Sequence, residues 1–199
     1  MIGCGQSPKS MVIVGASSSG VTTLATCRVL AEMDIELPKA ICLTFPVVST
    51  DYCEMTPSRA MMSLDPLIVP STIFGMFESY RTGHDVSYVE NRTPWFKRDR
   101  DSVRARICDH HQKSTFDPLF NPMIGSFDIF TQTNLLLFAC EYDSLLDDSI
   151  QLARKWPKSK VELIVVKNVV HSYTRGFITN ESIEATRLTV EKIAELFEK

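Results

Sequence analysis

The sequence predicts an α/β domain in which helices flank a mostly parallel sheet. Short apolar runs rich in β-branched residues alternate with segments of helical periodicity, which is the pattern of β-α-β units. Several runs are apolar throughout, as in strands that are buried on both faces. With 199 residues, of which 44% are hydrophobic, the chain can bury the core of one domain. We expect residues 1–199 to belong to a single domain.

The first part of the chain contains two predicted strands with a helix between them. The run MVIVG at residues 11–15 is the first strand, and a Gly/Ser turn follows it. A helical apolar pattern then covers residues 21–33. The run AICLTF at residues 40–45 is the second strand, because Pro46 cannot continue the hydrogen-bond ladder.

The middle of the chain is predicted to be irregular. Residues 47–70 are rich in proline, methionine and leucine, which favours short helices and loops, and a capped helix is expected at 71–81. Residues 91–106 carry six basic and two acidic side chains. We predict that residues 84–116 form a mobile basic insertion.

The last part of the chain returns to alternating strands and helices. The runs NLLLFAC at 134–140 and VELIVV at 161–166 are predicted strands. A helix between them begins near Asp147 and Asp148, which we expect to cap it, and ends at Pro157. The chain closes with an amphipathic helix whose predicted apolar face consists of Ile183, Val190, Ile193 and Phe197.

Composition and charge exclude several classes of protein. The formal net charge of −3 gives no reason to expect a nucleic-acid partner. No apolar run is long enough for a transmembrane segment, and the first residues resemble no signal peptide. The six cysteines are scattered, which predicts free thiols in the cytoplasm. Cys108, His110 and His111 match no common zinc spacing, so neither a metal nor a cofactor is expected.

The turn after the first strand carries the first candidate site residue. It reads Gly15-Ala16-Ser17-Ser18-Ser19-Gly20 and approximates G-x-S-x-G, the turn that displays the nucleophile of α/β-hydrolases. Ser17 fits that pattern best and Ser18 fits it loosely. A simple connecting turn is one alternative, and the dinucleotide loop of a short-chain dehydrogenase is another. The dehydrogenase is disfavoured, because none of the five tyrosines begins a Tyr-x-x-x-Lys pair.

Two further polar residues follow late strands in the order that a hydrolase requires. Asp143 lies in the loop after residues 134–140, and His171 lies in the loop after residues 161–166. The carboxyl ends of parallel strands meet at one edge of a sheet, so both side chains are expected beside Ser17. The sequence therefore predicts a Ser17, Asp143, His171 triad.

Several segments resemble the hormone-sensitive lipase family of α/β-hydrolases. CEYDSLLDDSIQLARKW is similar to the acid-loop block D-P-L-x-D-[DE], and NVVHSY is similar to the block that carries the histidine. TPSRAMMSLDPLIVPSTIFGMFESY and FNPMIGS resemble segments of the animal enzymes. The similarity extends over about residues 11–180 apart from the insertion.

The resemblance implies a fold and a function. It implies an α/β-hydrolase that cleaves neutral lipid esters, namely acylglycerols and cholesteryl esters, with a lipid-droplet surface as partner. Ser17 would be the nucleophile, His171 the general base and Asp143 the acid. The backbone N–H of Ser18 would donate to the oxyanion.

The chain also departs from the family pattern. In the usual G-D-S-A-G-G turn, Ala16 stands in place of the aspartate and Ser19 in place of a glycine. No His-Gly-Gly loop precedes the first strand. We therefore expect the carboxyl-terminal part of a catalytic domain, without its early strands. The alternative is a catalytically impaired fragment or pseudoenzyme that serves as an interaction module.

Overall fold

The fold is centred on a parallel sheet. The computed structural model describes residues 7–51, 56–61, 76, 116–175 and 179–198. These residues form a four-stranded sheet in the order β1-β2-β3-β4, with every neighbouring pair parallel. The strands are β1 (Val12–Ala16), β2 (Ala40–Thr44), β3 (Asn134–Tyr142) and β4 (Val161–Val170). The predicted architecture is confirmed, while the insertion and the helix at 71–81 lie outside the described residues apart from 76 and 116.

The two late strands extend further than predicted. β3 runs to Tyr142 and β4 to Val170, whereas the apolar runs end at residues 140 and 166. The extension begins with polar residues, Glu141 on β3 and the exposed Lys167 and Asn168 on β4, so the apolar runs end before it although Val169 is buried. It is held by Glu141, whose carboxylate accepts hydrogen bonds from Lys167 Nζ at 2.8 Å and from the Asn168 amide at 2.9 Å. His171 consequently follows its strand directly.

Two helices cover one face of the sheet. These are α1 (Ser19–Glu32) and α3 (Leu146–Lys155). A single helical turn, α2 (Pro57–Ala60), lies between them in the sequence. Trp156 ends α3, stacks on Phe130 at 4.2 Å between ring centroids and donates from Nε1 to the Thr133 carbonyl at 3.1 Å. The core of this face includes Leu24, Cys27, Ile41, Leu43, Val48, Leu135, Leu137 and Leu152.

The other face is covered by α4 (Asn180–Glu198), whose predicted apolar side is wrong at three of its four positions, since only Ile193 packs against the core. Ile183, Val190 and Phe197 are 50%, 61% and 60% exposed. The helix instead buries small residues, of which Ala185 and Thr189 are 4% exposed. Small side chains allow a close approach to the sheet, and hydrogen bonding satisfies the buried hydroxyl. This face of the core comprises Cys42, Phe45, Leu136, Phe138, Cys140, Val166, Val169, Tyr173 and Ala185, with Ile193 and Leu196 packed against it.

The thiols in the described part of the chain are buried. Cys27, Cys42 and Cys140 are free cysteines within the two core clusters, as expected for small apolar side chains. Among the described residues, none of the helices is long and apolar enough to cross a membrane.

Candidate active site

The turn between β1 and α1 holds Ser17 in a strained conformation. Ser17 has a φ of 53°, which is rare for a residue with a side chain. Its N–H donates to the Thr44 carbonyl at 3.1 Å, and its carbonyl accepts from the amides of Gly20 at 3.0 Å and Val47 at 2.9 Å. A Cβ at Gly20 would overlap the Val47 carbonyl oxygen. Hydrogen bonds between backbone groups therefore hold the turn that displays the Ser17 side chain.

The structure brings the three predicted site residues into one chain of hydrogen bonds. Ser17 Oγ lies 2.9 Å from His171 Nε2, and His171 Nδ1 lies 2.8 Å from Asp143 Oδ2. The side chains of His171 and Asp143 are 8% and 1% exposed. An ionised carboxylate can only accept, so it selects the tautomer with the proton on Nδ1. His171 Nε2 is then left to accept the Ser17 hydroxyl proton.

Asp143 is oriented by its own loop. Its second carboxylate oxygen, Oδ1, accepts the Leu145 amide at 3.0 Å, so each oxygen has a separate partner. The carbonyl of Asp143 also accepts the Leu146 amide at 3.1 Å. A short Asp-initiated turn thus aims the carboxylate at the imidazole.

His171 is oriented by the backbone around it and by an aromatic floor. Asn168 and Ser172 on either side have φ values of 59° and 63°. The Phe45 ring meets the imidazole edge-on, with ring centroids 4.9 Å apart and an interplanar angle of 64°. Sequence reasoning missed Phe45, which it placed only at the end of a strand, because nothing local shows that the residue after β2 meets the histidine after β4.

The backbone at Ser18 is suited to bind an oxyanion. Among the described residues, the Ser18 amide donates to none, and it lies beside Ser17 at the amino end of α1, where the helix dipole is positive. Ser19 stands at the position of the second glycine in G-D-S-A-G-G, and its Cβ occupies space that Gly15 leaves free, at 3.2 Å from a Cβ built on Gly15. The turn accommodates Ser19 for that reason.

A second group of polar contacts lies next to Asp143. We call residues 143–148 the acid segment. Asp147 Oδ2 accepts the Ser58 amide at 2.7 Å, and Asp148 accepts Arg59 Nη2 on both oxygens at 2.9 and 2.8 Å. Both acids lie in the first turn of α3, as predicted, but their predicted capping role is wrong, because no side chain caps that helix. Both carboxylates bind α2 instead. Sequence reasoning missed Ser58 and Arg59, for which only the resemblance of the surrounding segment gave a signal.

The thiols near the site are not nucleophiles. Burial raises the pKa of Cys42 to about 12. Burial also raises the pKa of Cys140 well above its ordinary value, and the charge of Asp143 adds to that effect. Both thiols stay protonated at neutral pH. Within the part of the chain that the structure describes, no group of three His, Cys, Asp or Glu residues could hold a metal, and Cys108, His110 and His111 lie outside that part.

Solved structures of esterases share this fold. Carboxyl esterase 2 from the fungus Tuber melanosporum is 16% identical with a TM-score of 0.67, over 99% of this chain and 56% of that one. An esterase from the bacterial hormone-sensitive lipase family is 17% identical with a TM-score of 0.68, over 98% and 56%. An esterase/lipase from an uncultured bacterium is 20% identical with a TM-score of 0.69, over 100% and 57%. The chain has the α/β-hydrolase fold.

The similarity is limited in extent. The chain spans little more than half the length of these esterases, 56% or 57%. No protein-family model and no curated protein matches the sequence.

Proposed function

We propose that this chain carries the catalytic triad of a carboxylic ester hydrolase that works through an acyl-enzyme on Ser17. The observation that carries the proposal is the hydrogen-bonded chain from Ser17 Oγ through His171 to Asp143, with links of 2.9 and 2.8 Å. These lengths and atoms are what proton transfer from a serine to a histidine base requires. The esterases that share the fold support the same reaction class.

In the first half of the reaction, Ser17 Oγ attacks the ester carbonyl carbon while His171 Nε2 takes the hydroxyl proton. The carbonyl oxygen becomes an oxyanion, to which the Ser18 amide donates. The bond to the alcohol oxygen then breaks, and the proton on Nε2 leaves with the alcohol. Asp143 stabilises the transient imidazolium through Nδ1–H.

In the second half, a water molecule attacks the acyl group on Ser17. His171 Nε2 takes a proton from that water and returns it to Ser17 Oγ as the carboxylic acid departs. The enzyme is restored without any cofactor.

We propose that the substrates are neutral lipid esters, namely acylglycerols and cholesteryl esters. We further propose that the enzyme acts on them in the cytoplasm, at a lipid-droplet surface. The support is the likeness of the acid-loop, histidine and middle segments to hormone-sensitive lipases. Hydrolysis of emulsified triacylglycerol, compared with that of a soluble short-chain ester, distinguishes a lipase from an esterase.

The test of the reaction is hydrolysis of p-nitrophenyl butyrate by the full chain. Ser17→Ala is expected to reduce the rate to the buffer background, because removing a triad nucleophile lowers kcat by about 10⁶. Ser19→Ala, which changes an exposed serine two residues away, is the matched control and is expected to keep the rate. Equal activity in Ser17→Ala would refute the proposal. A folded parent chain that cleaves no ester would favour the interaction module.

A further inference from the structure

A brace joins the acid segment to the rest of the site, and we define it as the half-buried Ser58 and the buried Arg59 of α2. We propose that these two are positioning residues, which hold the acid segment so that the Asp143 carboxylate stays on His171. This inference rests on the proposed function, since positioning matters only if His171 acts as a base. Neither residue belongs to the hydrogen-bonded chain that carries the reaction.

Ser58 holds the acid segment through its backbone and its side chain. Its hydroxyl donates to the Ser144 carbonyl at 2.7 Å, directly after Asp143, and accepts the Asp147 amide at 3.3 Å. Its own amide donates to Asp147 Oδ2 at 2.7 Å. Three hydrogen bonds from one residue thus hold the peptide that follows the acid, and a shift of that peptide would move the carboxylate.

Arg59 holds the same segment one residue further on. Its guanidinium binds both oxygens of Asp148 at 2.9 and 2.8 Å, and the side chains are 5% and 2% exposed. A planar, bidentate pair of this kind fixes direction as well as distance. Burial removes competition from water, so the pair holds the first turn of α3 in one place.

Arg59 also connects the acid segment to the nucleophile. Its Nη1 donates to the carbonyl of Asp51, which lies in the segment that follows β2. The same segment carries Val47, whose amide donates to the Ser17 carbonyl at 2.9 Å, and Phe45, which contacts the His171 ring. The brace therefore lies on a continuous path of contacts from the nucleophile turn to the acid.

A loosened brace has a specific consequence. Asp143 would lose its fixed distance to His171 Nδ1 while Ser17, Ser18 and the surface around them stay in place. Weakening the base affects the transition state more than the bound ester, so kcat is expected to fall with little change in KM. Misplacements of about 1 Å can lower rates by about 10²-fold.

The experiment compares Ser58→Ala and Arg59→Lys with the parent full chain. Ser58→Ala removes the hydroxyl contacts to the acid segment, and Arg59→Lys keeps the charge but loses the two-pronged geometry. One readout is the low-field proton NMR resonance of the His171 Nδ1–H bond to Asp143. The other is kcat and KM with p-nitrophenyl butyrate. In both variants the resonance is expected to shift or disappear, and kcat to fall about 10- to 100-fold with KM within roughly twofold.

Two control variants separate positioning from general destabilisation. Arg28→Met removes another buried arginine, which donates to the Ser126 and Pro122 carbonyls at 2.8 and 2.9 Å. Ser182→Ala removes a buried serine hydroxyl on α4. Both are expected to lower the unfolding temperature while the resonance and kcat stay at the parent values.

The outcomes are distinguishable from those of the proposed function. An unchanged resonance and kcat in folded Ser58→Ala and Arg59→Lys would overturn the brace, as would a parent chain without the resonance. If the parent shows the resonance but cleaves no ester, the proposed function fails, and the resonance in the variants still decides whether the brace holds Asp143.

Discussion

The nucleophile turn and the acid segment are held by different means, although they serve one hydrogen-bonded chain. Around Ser17 the contacts are between backbone groups, and Gly20 has no room for a Cβ. Around Asp143 the amides of its own loop are joined by side-chain contacts to the acid segment, above all the buried pair of Arg59 and Asp148. A turn that is held by backbone contacts depends on which residues can adopt its conformation. A segment that is held by side-chain contacts depends on partner residues that are distant in the sequence. The two sides should therefore respond to different substitutions.

The largest expected effect is on the acid side. Asp148→Ala leaves the Arg59 guanidinium without the carboxylate that it binds on both oxygens, and breaking a buried ion pair costs about 3–5 kcal/mol of stability. Asp147→Ala is the matched variant, since that carboxylate accepts a single amide from Ser58, and about 1 kcal/mol is expected. Urea unfolding measures both, and equal losses would contradict the importance of the buried pair.

The next effect is on the nucleophile side. A Cβ at Gly20 would overlap the Val47 carbonyl and lie 2.7 Å from Pro46 Cβ, whereas at Gly15 the nearest atoms are side-chain atoms at 3.1 Å. Gly20→Ala is expected to destabilise the chain by about 1–3 kcal/mol, even though alanine favours a helix. Gly15→Ala should lose less. If thermal unfolding shows a larger loss of stability in Gly15→Ala than in Gly20→Ala, the close contact between α1 and the segment after β2 does not determine the stability of the turn.

A smaller loss of stability is expected at Tyr173, which packs against Phe45 next to the histidine. Tyr173 O–H donates to Thr189 Oγ1 at 2.7 Å, because the Thr189 hydroxyl itself donates to the Ala185 carbonyl at 2.8 Å. Tyr173→Phe removes one buried hydrogen bond, at about 1 kcal/mol.

The same residue gives a pH dependence. Burial raises the pKa of Tyr173 from 10.0 to about 12, so the unfolded chain loses this proton first as pH rises. The unfolded state then binds fewer protons, and stability falls across that window. Unfolding measured from pH 9 to 12 should show this loss in the parent and less of it in Tyr173→Phe. Identical slopes would be inconsistent with the buried phenol.

The smallest effect is at the exposed tie between β3 and β4. Hydrogen bonds from Lys167 and the Asn168 amide lower the pKa of Glu141. Its contribution is therefore present above the ordinary glutamate pKa and is lost as the pH falls through the lowered value. Glu141→Gln is expected to lower the unfolding temperature slightly at pH 7 and by less at pH 3. A larger difference at pH 3 would contradict this interpretation.

The nucleophile side could be predicted from the sequence because its determinants are adjacent. Gly15, Ser17 and Gly20 lie within one turn, and their pattern predicts the strand-to-helix turn that the structure has. The order of Asp143 and His171 after late strands also predicted their meeting at one edge of the sheet. Parallel topology places both residues at the same edge of the sheet.

The supports of the acid side could not be predicted in the same way. Arg59 and Asp148 are 89 positions apart, and no local pattern specifies their pairing. The prediction of which residues α4 buries was wrong for a related reason. Apolar periodicity favoured Ile183 and Val190, whereas the structure buries Ala185 and Thr189. There, the close approach of helix and sheet selects small residues, and a hydroxyl is buried because Tyr173 and a backbone carbonyl satisfy it.

The central claim is that His171 and Asp143 activate Ser17. Its most direct measurement is labelling of the full chain with a fluorophosphonate probe, followed by mass spectrometry of the intact protein and its peptides. We expect one adduct, located on Ser17, that is absent in Ser17→Ala and forms far more slowly in His171→Ala. Equal labelling of the parent and Ser17→Ala, or no labelling of a folded parent chain, would contradict it.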